Sequence, residues 1–479
     1  MGISLNPASL LSGQGIDVNT VVSEILNQQS GQLTEWQNEQ STLQTQASLL
    51  TSINSDLSNL ATAVTALSDP LGAITSQAAT SSNTSVLTGT ADSTAVAGNH
   101  TIVVSNLASN GTVYTNAVSG GADVSILPSG STTGDLTIQI GGSAGTTADV
   151  QITAGTNDTL TTLAASINQQ SSQNSWGITA AVVSDATGAR LTLSSQATGT
   201  SGALAITNNT TSLSFNTPSG GTNASLTIDG IPFSTTSNTI TGAIPGVTLN
   251  LASSAPNSTV ELTVGPNTTQ AAQAINTFVS AYNAVMNDIN QQFTVNAATN
   301  SEGPLGSDSA VRTLQSILMN DVTYSASGNG GLVNLASLGI NMNDDGTLTV
   351  GTTPSGQSMS QVLAANPQAF ESFFQNSTST GFANNFHTDL TNLTDPTDGL
   401  LNVDLAQNQT EQQNLTDNIN NFEDQLNTEQ TSLTQEFSSV DASLQEYPLL
   451  LQQVTETLAT MDTSSSSSGS STPTLTSGL

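Results

Sequence analysis

Few side chains in this sequence could do covalent chemistry. It contains no cysteine, which removes disulfides, thiol catalysis, thiolate metal centres and iron–sulfur clusters. Its two histidines, His100 in a strand-like stretch and His387 in a helix-like one, lie in no local Ser/His/Asp signature, so catalysis finds little support and no catalytic residue is assigned. The segment NMNDDG (341–346) places Asn341, Asn343 and Asp345 at alternate positions ahead of Gly346, as a calcium loop does. The twelfth position is Thr352, where such a loop needs a bidentate Glu. A turn between LGINM and TLTV is therefore expected, and no metal site. Neither a phosphate loop nor a GxGxxG sequence occurs, so no nucleotide or other cofactor is expected. The carboxylates Glu411, Asp417, Glu423, Asp424, Glu429 and Glu436 read as the solvated outer face of a helix.

The spacing of apolar residues is more informative. Leu33, Trp36, Leu43, Ala47, Leu50, Ile53, Leu57, Leu60, Val64 and Leu67 lie on one seam near the beginning of the chain. Leu415, Ile419, Phe422, Leu426, Leu433, Phe437, Val440 and Leu444 lie on another near the end, continuing through Tyr447, Leu451, Val454 and Leu458. Steps that alternate mostly three and four put each set on one helix face that needs partner helices. The step from Leu426 to Leu433 fits if Gln430 takes a core place, which makes one four-four stutter and locally unwinds a supercoil. Leu33, Trp36, Leu43 and the residues from Leu415 to Leu444 are the candidate oligomer or partner interface. A helix of about 60 residues extends about 90 Å, more than a compact domain covers.

Composition bounds the partners. The 479 residues suggest about three or four domains. Arg190 and Arg312 are the only basic residues besides the histidines, against 35 Asp and Glu, for a net charge of -33. Such a surface is repelled by nucleic acid and by anionic lipid, so neither is an expected partner. No stretch approaches the roughly 20 apolar residues that span a bilayer. The opening MGISLNPASLLSGQGID has no basic n-region and no apolar h-region, so any export is expected to leave the N-terminus uncleaved.

Between the seams the pattern is of strands: 86–91, 100–108, 135–142, 148–154, 178–185, 189–196, 224–233, 248–252 and 260–264. One helix, from Thr159 and opened by Asp158 as its expected N-cap, completes a β-β-α-β-β unit over about 135–207. Further helices are expected at 270–293, 310–322, 359–375, 379–393 and 400–461, the last kinked at Pro448. Residues 12–14 read as a loop and 463–479 as a disordered tail. Asp17 is the expected N-cap of a helix through Leu26, Gly31 interrupts, and the helix from Leu33 to about Leu67 is expected to stop near Asp69-Pro70. The fold class is α+β and multidomain: long terminal helices, brought together from both chain ends as a coiled coil or bundle, with β-rich domains inserted between them.

The residues also carry a resemblance. GIDVNTVVSEIL (15–26) and SVLTGTADSTAVAGNHTIVVSNLA (85–108) are similar to the N-terminal region of the flagellar hook-associated protein 2 family, the filament cap proteins. LTIDGIPFSTTSNTITGAIPGVTLNLAS (226–253), INTFVSAYNAVMNDIN (275–290), GPLGSDSAVRTLQSIL (303–318) and LASLGINMNDDGTLTV (335–350) resemble its C-terminal region. The 135–207 unit resembles the flagellin-type insertion motif.

The resemblance implies a non-enzymatic cap at the distal end of the bacterial flagellar filament, extracellular and exported without a cleaved signal. It implies a homo-oligomeric ring of about five or six copies that retains exported flagellin and promotes its folding and polymerisation. Partners would be flagellin, the hook–filament junction proteins and a cytoplasmic export chaperone that holds the C-terminal helix. The implied layout is a leg helix over 1–42 paired with 425–462, a helical bundle from 43–80 plus 267–424, a β domain from 85–128 plus 222–265, and an inserted β domain over 130–215. A surface adhesin, or a flagellin or junction protein, are the alternatives, with an enzyme a distant fourth. In two respects the chain departs from the family pattern: Gln, Asn and Thr stand where family helices carry Lys and Arg, so hydrogen bonds and the seam must set helix pairing, and Pro448 falls where the family helix is uninterrupted.

Overall fold

The first helix, α1 (Val18–Gln29), starts where the sequence places its cap: Thr20 donates its backbone N–H to Asp17 Oδ1 at 3.2 Å and its hydroxyl to Oδ2 at 2.7 Å. The computed structural model describes residues 17–465, apart from 217–219, 299 and 377–379. The loop expected at 12–14 and residues 466–479 of the expected tail lie outside the described residues. Gly31 interrupts less than expected. Ser30 N bonds Leu26 O at 2.8 Å and Thr34 N bonds Ser30 O at 3.1 Å, so the helical bond pattern runs on into α2 (Gly31–Ser68). That helix stops at Asp69-Pro70, because proline has no N–H to give.

Strands follow: β1 (Gln77–Ser81), β2 (Leu87–Ala91), β3 (Gly98–Asn106), β4 (Asn110–Tyr114), β5 (Thr133–Ile140) and β6 (Thr146–Thr153). After α3 (Leu160–Asn174), the strands are β7 (Ile178–Asp185), β8 (Gly188–Thr198), β9 (Leu204–Asn209), β10 (Ala224–Ile228), β11 (Ile231–Thr235), β12 (Thr239–Ile244), β13 (Val247–Leu251) and β14 (Val260–Pro266). The chain then runs through α4 (Thr268–Phe293), α5 (Ser309–Val322), β15 (Ile340–Met342), β16 (Leu348–Val350), α6 (Met359–Ala365), α7 (Pro367–Phe374), α8 (Phe382–Leu393) and α9 (Leu400–Ser465).

Two compact units divide the chain. One gathers residues 1–59, 284–319 and 389–479 and is built from helices; the other gathers 60–283 and 320–388 and holds the sheets. In the second unit, the sheet β1-β14-β3-β10-β11 and the sheet β12-β13-β2 close over Leu87, Ile102, Val104, Leu226, Leu249 and Leu262. The sheets β4-β8-β7 and β6-β5-β9 close with α3 over Leu136, Ile138, Leu163, Ile167, Leu191 and Leu193. The strand β10 alternates buried and half-buried residues along its length, the period-two signature of a one-sided sheet. Phe278, Phe373, Phe382 and Phe386 form an aromatic cluster on α4, α7 and α8, with Phe278 edge-on to Phe382 at 5.6 Å between centroids.

Several expectations need correction. The stretch 224–233 is not one strand but a hairpin, since Asp229 (φ 52°) and Gly230 (φ 80°) both take the left-handed conformations of a tight primed turn. The strands β1, β4, β9 and β12 were not expected, because QAATS, NGTVY, LAITNN and TITGAI lack clear apolar alternation. The β-β-α-β-β order is present, yet its two hairpins belong to different sheets, with β9 beside β5 and β4 beside β8. Thr159 rather than Asp158 caps α3, its hydroxyl accepting from Thr162 N at 3.2 Å, while Asp158 Oδ1 accepts from Gly155 N in the preceding turn. The helix expected at 359–375 is two, because Pro367 begins α7 and forces Asn366 out of helical conformation (φ -146°, ψ 66°). Pro448 lies within α9, whose helical assignment continues to Ser465.

The NMNDDG segment is the turn of the β15–β16 hairpin. Asp345 Oδ1 accepts from Thr347 N at 3.0 Å and from Thr347 Oγ1 at 2.5 Å, and these bonds hold its carboxyl below the ordinary range. Its oxygens serve the turn.

Candidate functional site

The two seams meet in the helical unit. Helix α9 runs antiparallel to α1 and α2: as the first partner climbs through Gln29, Trp36, Gln40, Gln46 and Asn54, the second descends through Glu429, Phe422, Thr416, Asn408 and Asn402. Trp36 and Phe422 meet edge to face with centroids 5.5 Å apart. Leu415 and Ile419 are buried, whereas Leu33, Trp36, Leu43, Phe422, Leu426, Leu433, Phe437 and Leu444 are half-buried. Of the ten candidate interface residues, Trp36 and Phe422 are in direct side-chain contact across the paired helices. Further along α2, Leu50, Ile53 and Leu57 are fully buried.

Past Leu444 the seam on α9 is uncovered. Tyr447, Leu451, Val454 and Leu458 are all exposed, with Tyr447 at 64% and Leu451 at 63%. Leu449, Leu450 and Met461 add to this apolar surface.

The stutter sits elsewhere than expected. Gln430 is exposed and Glu429 is half-buried, accepting from Gln29 Nε2 at 2.9 Å. The seam thus steps from Leu426 to Glu429 to Leu433 in regular three-four order, and the four-four step falls at Glu429, Leu433 and Phe437. Glu429 serves in the seam because its alkyl stem packs while its carboxylate meets an uncharged amide. Of the carboxylates read as a solvated face, Glu411, Asp417, Glu423, Asp424 and Glu436 are exposed and Glu429 is the exception.

Polar residues take the seam positions ahead of Leu415. Gln412 Nε2 donates to Asn408 Oδ1 at 2.6 Å and to Leu43 O at 3.3 Å. Asn408 Nδ2 donates to Gln46 Oε1 at 3.4 Å, and Gln46 Nε2 to Pro304 O at 2.8 Å. Gln40 Nε2 donates to Thr416 Oγ1 at 2.8 Å, and Asn54 Nδ2 to Asn402 Oδ1 at 3.1 Å. Uncharged amides here fix register as ion pairs would, without a Coulombic term for salt to screen. These residues were not singled out in the sequence. Counting back from Leu415 in steps of three and four reaches Gln412, Asn408, Leu405 and Leu401, the signal that marks them.

The few cationic groups are engaged locally. His100 Nδ1 lies 2.8 Å from Asp229 Oδ2, and Arg190 Nη1 lies 2.5 Å from Asp185 Oδ2. The bond from Thr187, ahead of that from Arg190, draws Asp185 down to about 2. His387 Nδ1 lies 3.3 Å from Thr65 Oγ1. Among the described residues no group of three or more His, Cys, Asp or Glu could hold a metal, and no helix is long and apolar enough to cross a membrane.

Comparison with known proteins decides the family. Residues 14–111 match the flagellar hook-associated protein 2 N-terminus, and residues 221–448 match the C-terminus of the same protein. The chain belongs to the flagellar hook-associated protein 2 family. Among similar family members, the B-type flagellar hook-associated protein 2 of Pseudomonas aeruginosa is 27% identical over 335 residues, covering 63% of this chain and 67% of that relative. The flagellar hook-associated protein 2 of Salmonella typhimurium is 34% identical over 131 residues, covering 26% of this chain and 27% of that protein. Matches to the relatives from Campylobacter jejuni and Helicobacter pylori cover 25% and 33% of those proteins. The crystal structure of the flagellar cap protein FliD D1-D2-D3 domains from Escherichia coli is similar at a TM-score of 0.56 and 25% identity, covering 75% of this chain and 99% of that one. Its likeness supports the α+β multidomain class, with N- and C-terminal helices flanking β-rich domains. Residues 112–220, which hold β5 to β9 and α3, lie between the two regions matched to the hook-associated protein 2 family.

Proposed function

We propose that this chain is a non-enzymatic structural cap at the distal end of a bacterial flagellar filament, an oligomeric scaffold that retains exported flagellin and promotes its folding and polymerisation. The observation that carries the reading is the antiparallel pairing of the two chain ends in a member of this family, with an uncovered apolar stripe continuing along α9. In this reading 1–42 and 425–462 form a leg, 43–80 plus 267–424 a bundle, 85–128 plus 222–265 a β domain, and 130–215 an inserted β domain. Half-buried seam residues such as Phe422, Leu426, Leu433 and Phe437 keep apolar area for neighbouring copies.

The assembly is a closed ring of about five or six copies, since one repeated heterologous contact closes only as a ring. Flagellin and the hook–filament junction proteins are its filament partners. A cytoplasmic export chaperone covers the C-terminal helix before export, which leaves the N-terminus uncleaved.

The test is direct. Electron microscopy of the purified protein should show closed rings, and cells lacking the gene should release monomeric flagellin. Normal filaments with only weaker surface attachment would overturn the cap in favour of an adhesin. Leu426→Asp together with Leu433→Asp should abolish the rings while leaving the β domains folded; intact rings from that variant would remove the seam from the assembly.

A further inference from the structure

Carboxyl pairs stand inside the helical unit where other proteins place ion pairs. Asp404 on α9 holds Oδ2 out of solvent with no donor in reach. Its hydrogen-bonding neighbour is the carboxyl of Asp308, and Glu411, two turns further along α9, adds negative charge. Asp308 is fixed in place because its Oδ1 caps α5, accepting from Ala310 N at 2.7 Å and Val311 N at 3.2 Å. Ionised carboxylates offer only acceptors, so two of them can bond each other only by sharing a proton. A second pair joins α2 to α4. There Asp56 is raised by burial and then by Asp288, while Asn59 bonds Asp56 and Ser52 Oγ donates to Asp288 Oδ2 at 3.4 Å.

Among the described residues no cation relieves either pair. Arg312, the one arginine of this unit, donates to Gly306 O at 2.5 Å, lies 5.0 Å from the Phe293 ring centre and stands 3.8 Å from Glu302. Burial first, then the Asp308 bond and charge, push Asp404 up to about 6.

We propose that the junction of α9 with α5 is a proton-gated clasp: Asp404 keeps its proton and donates it to the fixed Asp308 carboxyl, so mild acid tightens the helical unit and neutral pH loosens it. The proton is bound by the folded unit and released on unfolding, and Asp56, raised in the same sense, adds to the response. The sign follows from linkage. Folded Asp404 holds its proton more tightly than an unfolded carboxyl at the ordinary 3.8, so the stabilisation is complete below that value and is lost as pH rises through about 6. This inference does not depend on the cap reading.

The full-length chain carrying Trp176→Phe leaves Trp36, packed on Phe422, as the fluorescent reporter of the helical unit. Denaturant titrations should show its folding constant rising by up to about tenfold between about pH 7 and about pH 5. Asp404→Asn, which supplies the missing donor permanently, should be the more stable at about pH 7 and lose this increment. Asp417→Asn, at an exposed carboxylate on the same helix, should keep it. An Asp404→Asn variant with the same pH response as the parent would overturn the clasp. If that variant does not fold, infrared spectroscopy of the native chain decides: a protonated-carboxyl band at about pH 5.5 is expected, and its absence overturns the proposal.

Discussion

Trp36 on α2 and Phe422 on α9 meet edge to face, 5.5 Å between centroids and 78° between ring planes, so residues from opposite ends of the chain share one contact. Edge-to-face geometry sets the positive ring edge against the negative face and is worth about 0.5–1.5 kcal/mol beyond area burial. Phe422→Ala should lower the stability of the helical unit by about 1–3 kcal/mol, counting the lost packing of a half-buried ring. Trp36 fluorescence during denaturation, in the Trp176→Phe background, measures it.

Asn408 is a buried amide on the seam, linked to both Gln46 and Gln412. Asn408→Ala removes an acceptor from Gln412 Nε2 and the donor to Gln46 Oε1, and should destabilise the unit by about 1–2 kcal/mol. Asn408→Leu fills the position with an apolar side chain and should lose less stability than Ala, at the cost of register. Denaturation midpoints rank the two variants, and equal losses would show that the amide contributes packing only.

Gly246 closes the β12–β13 turn at φ 71°, and a Cβ there would lie 2.6 Å from Ala95 N and 2.7 Å from its Cα. Neither backbone atom can move as a side-chain tip would. Gly246→Ala should therefore destabilise the surrounding β domain by about 1–3 kcal/mol. A circular dichroism melt should show the strand transition at lower temperature while the Trp36 signal is unchanged.

Asp229 responds to pH in the sense opposite to Asp404. The His100 bond first, then the Thr101 backbone N–H at 2.7 Å, hold its carboxyl below the ordinary value. Its contribution is present above an unfolded value of 3.8 and is lost as pH falls through the depressed folded value. Asp229→Asn keeps a residue that tolerates the turn's positive φ but removes the charge. The variant should be less stable at neutral pH and should soften the acid limb of β-domain unfolding, followed by circular dichroism.

Legibility in the sequence tracked how local each cause is. The cap at Asp17, the stop at Pro70, the β7–β8 hairpin and the start of α3 all depend on neighbours within a few positions, and all stand close to where patterning placed them. The strand β9 has no such local signature; it is a strand because β5 offers it a free edge. The same holds for the seam. Leu415 and Ile419 could be read as seam residues from spacing, but Glu429 rather than Gln430 faces inward because Gln29 lies opposite it.

Sequence alone settles that both ends are helical and apolar along one face, that strands lie between them, and that no cysteine is present. These are properties of composition and of periods shorter than two helical turns. Folding alone decides which positions on the two ends meet, which amides replace the missing cations, and that Asp404 stands against Asp308. Those depend on antiparallel register between segments hundreds of residues apart, and on the exclusion of water once they meet.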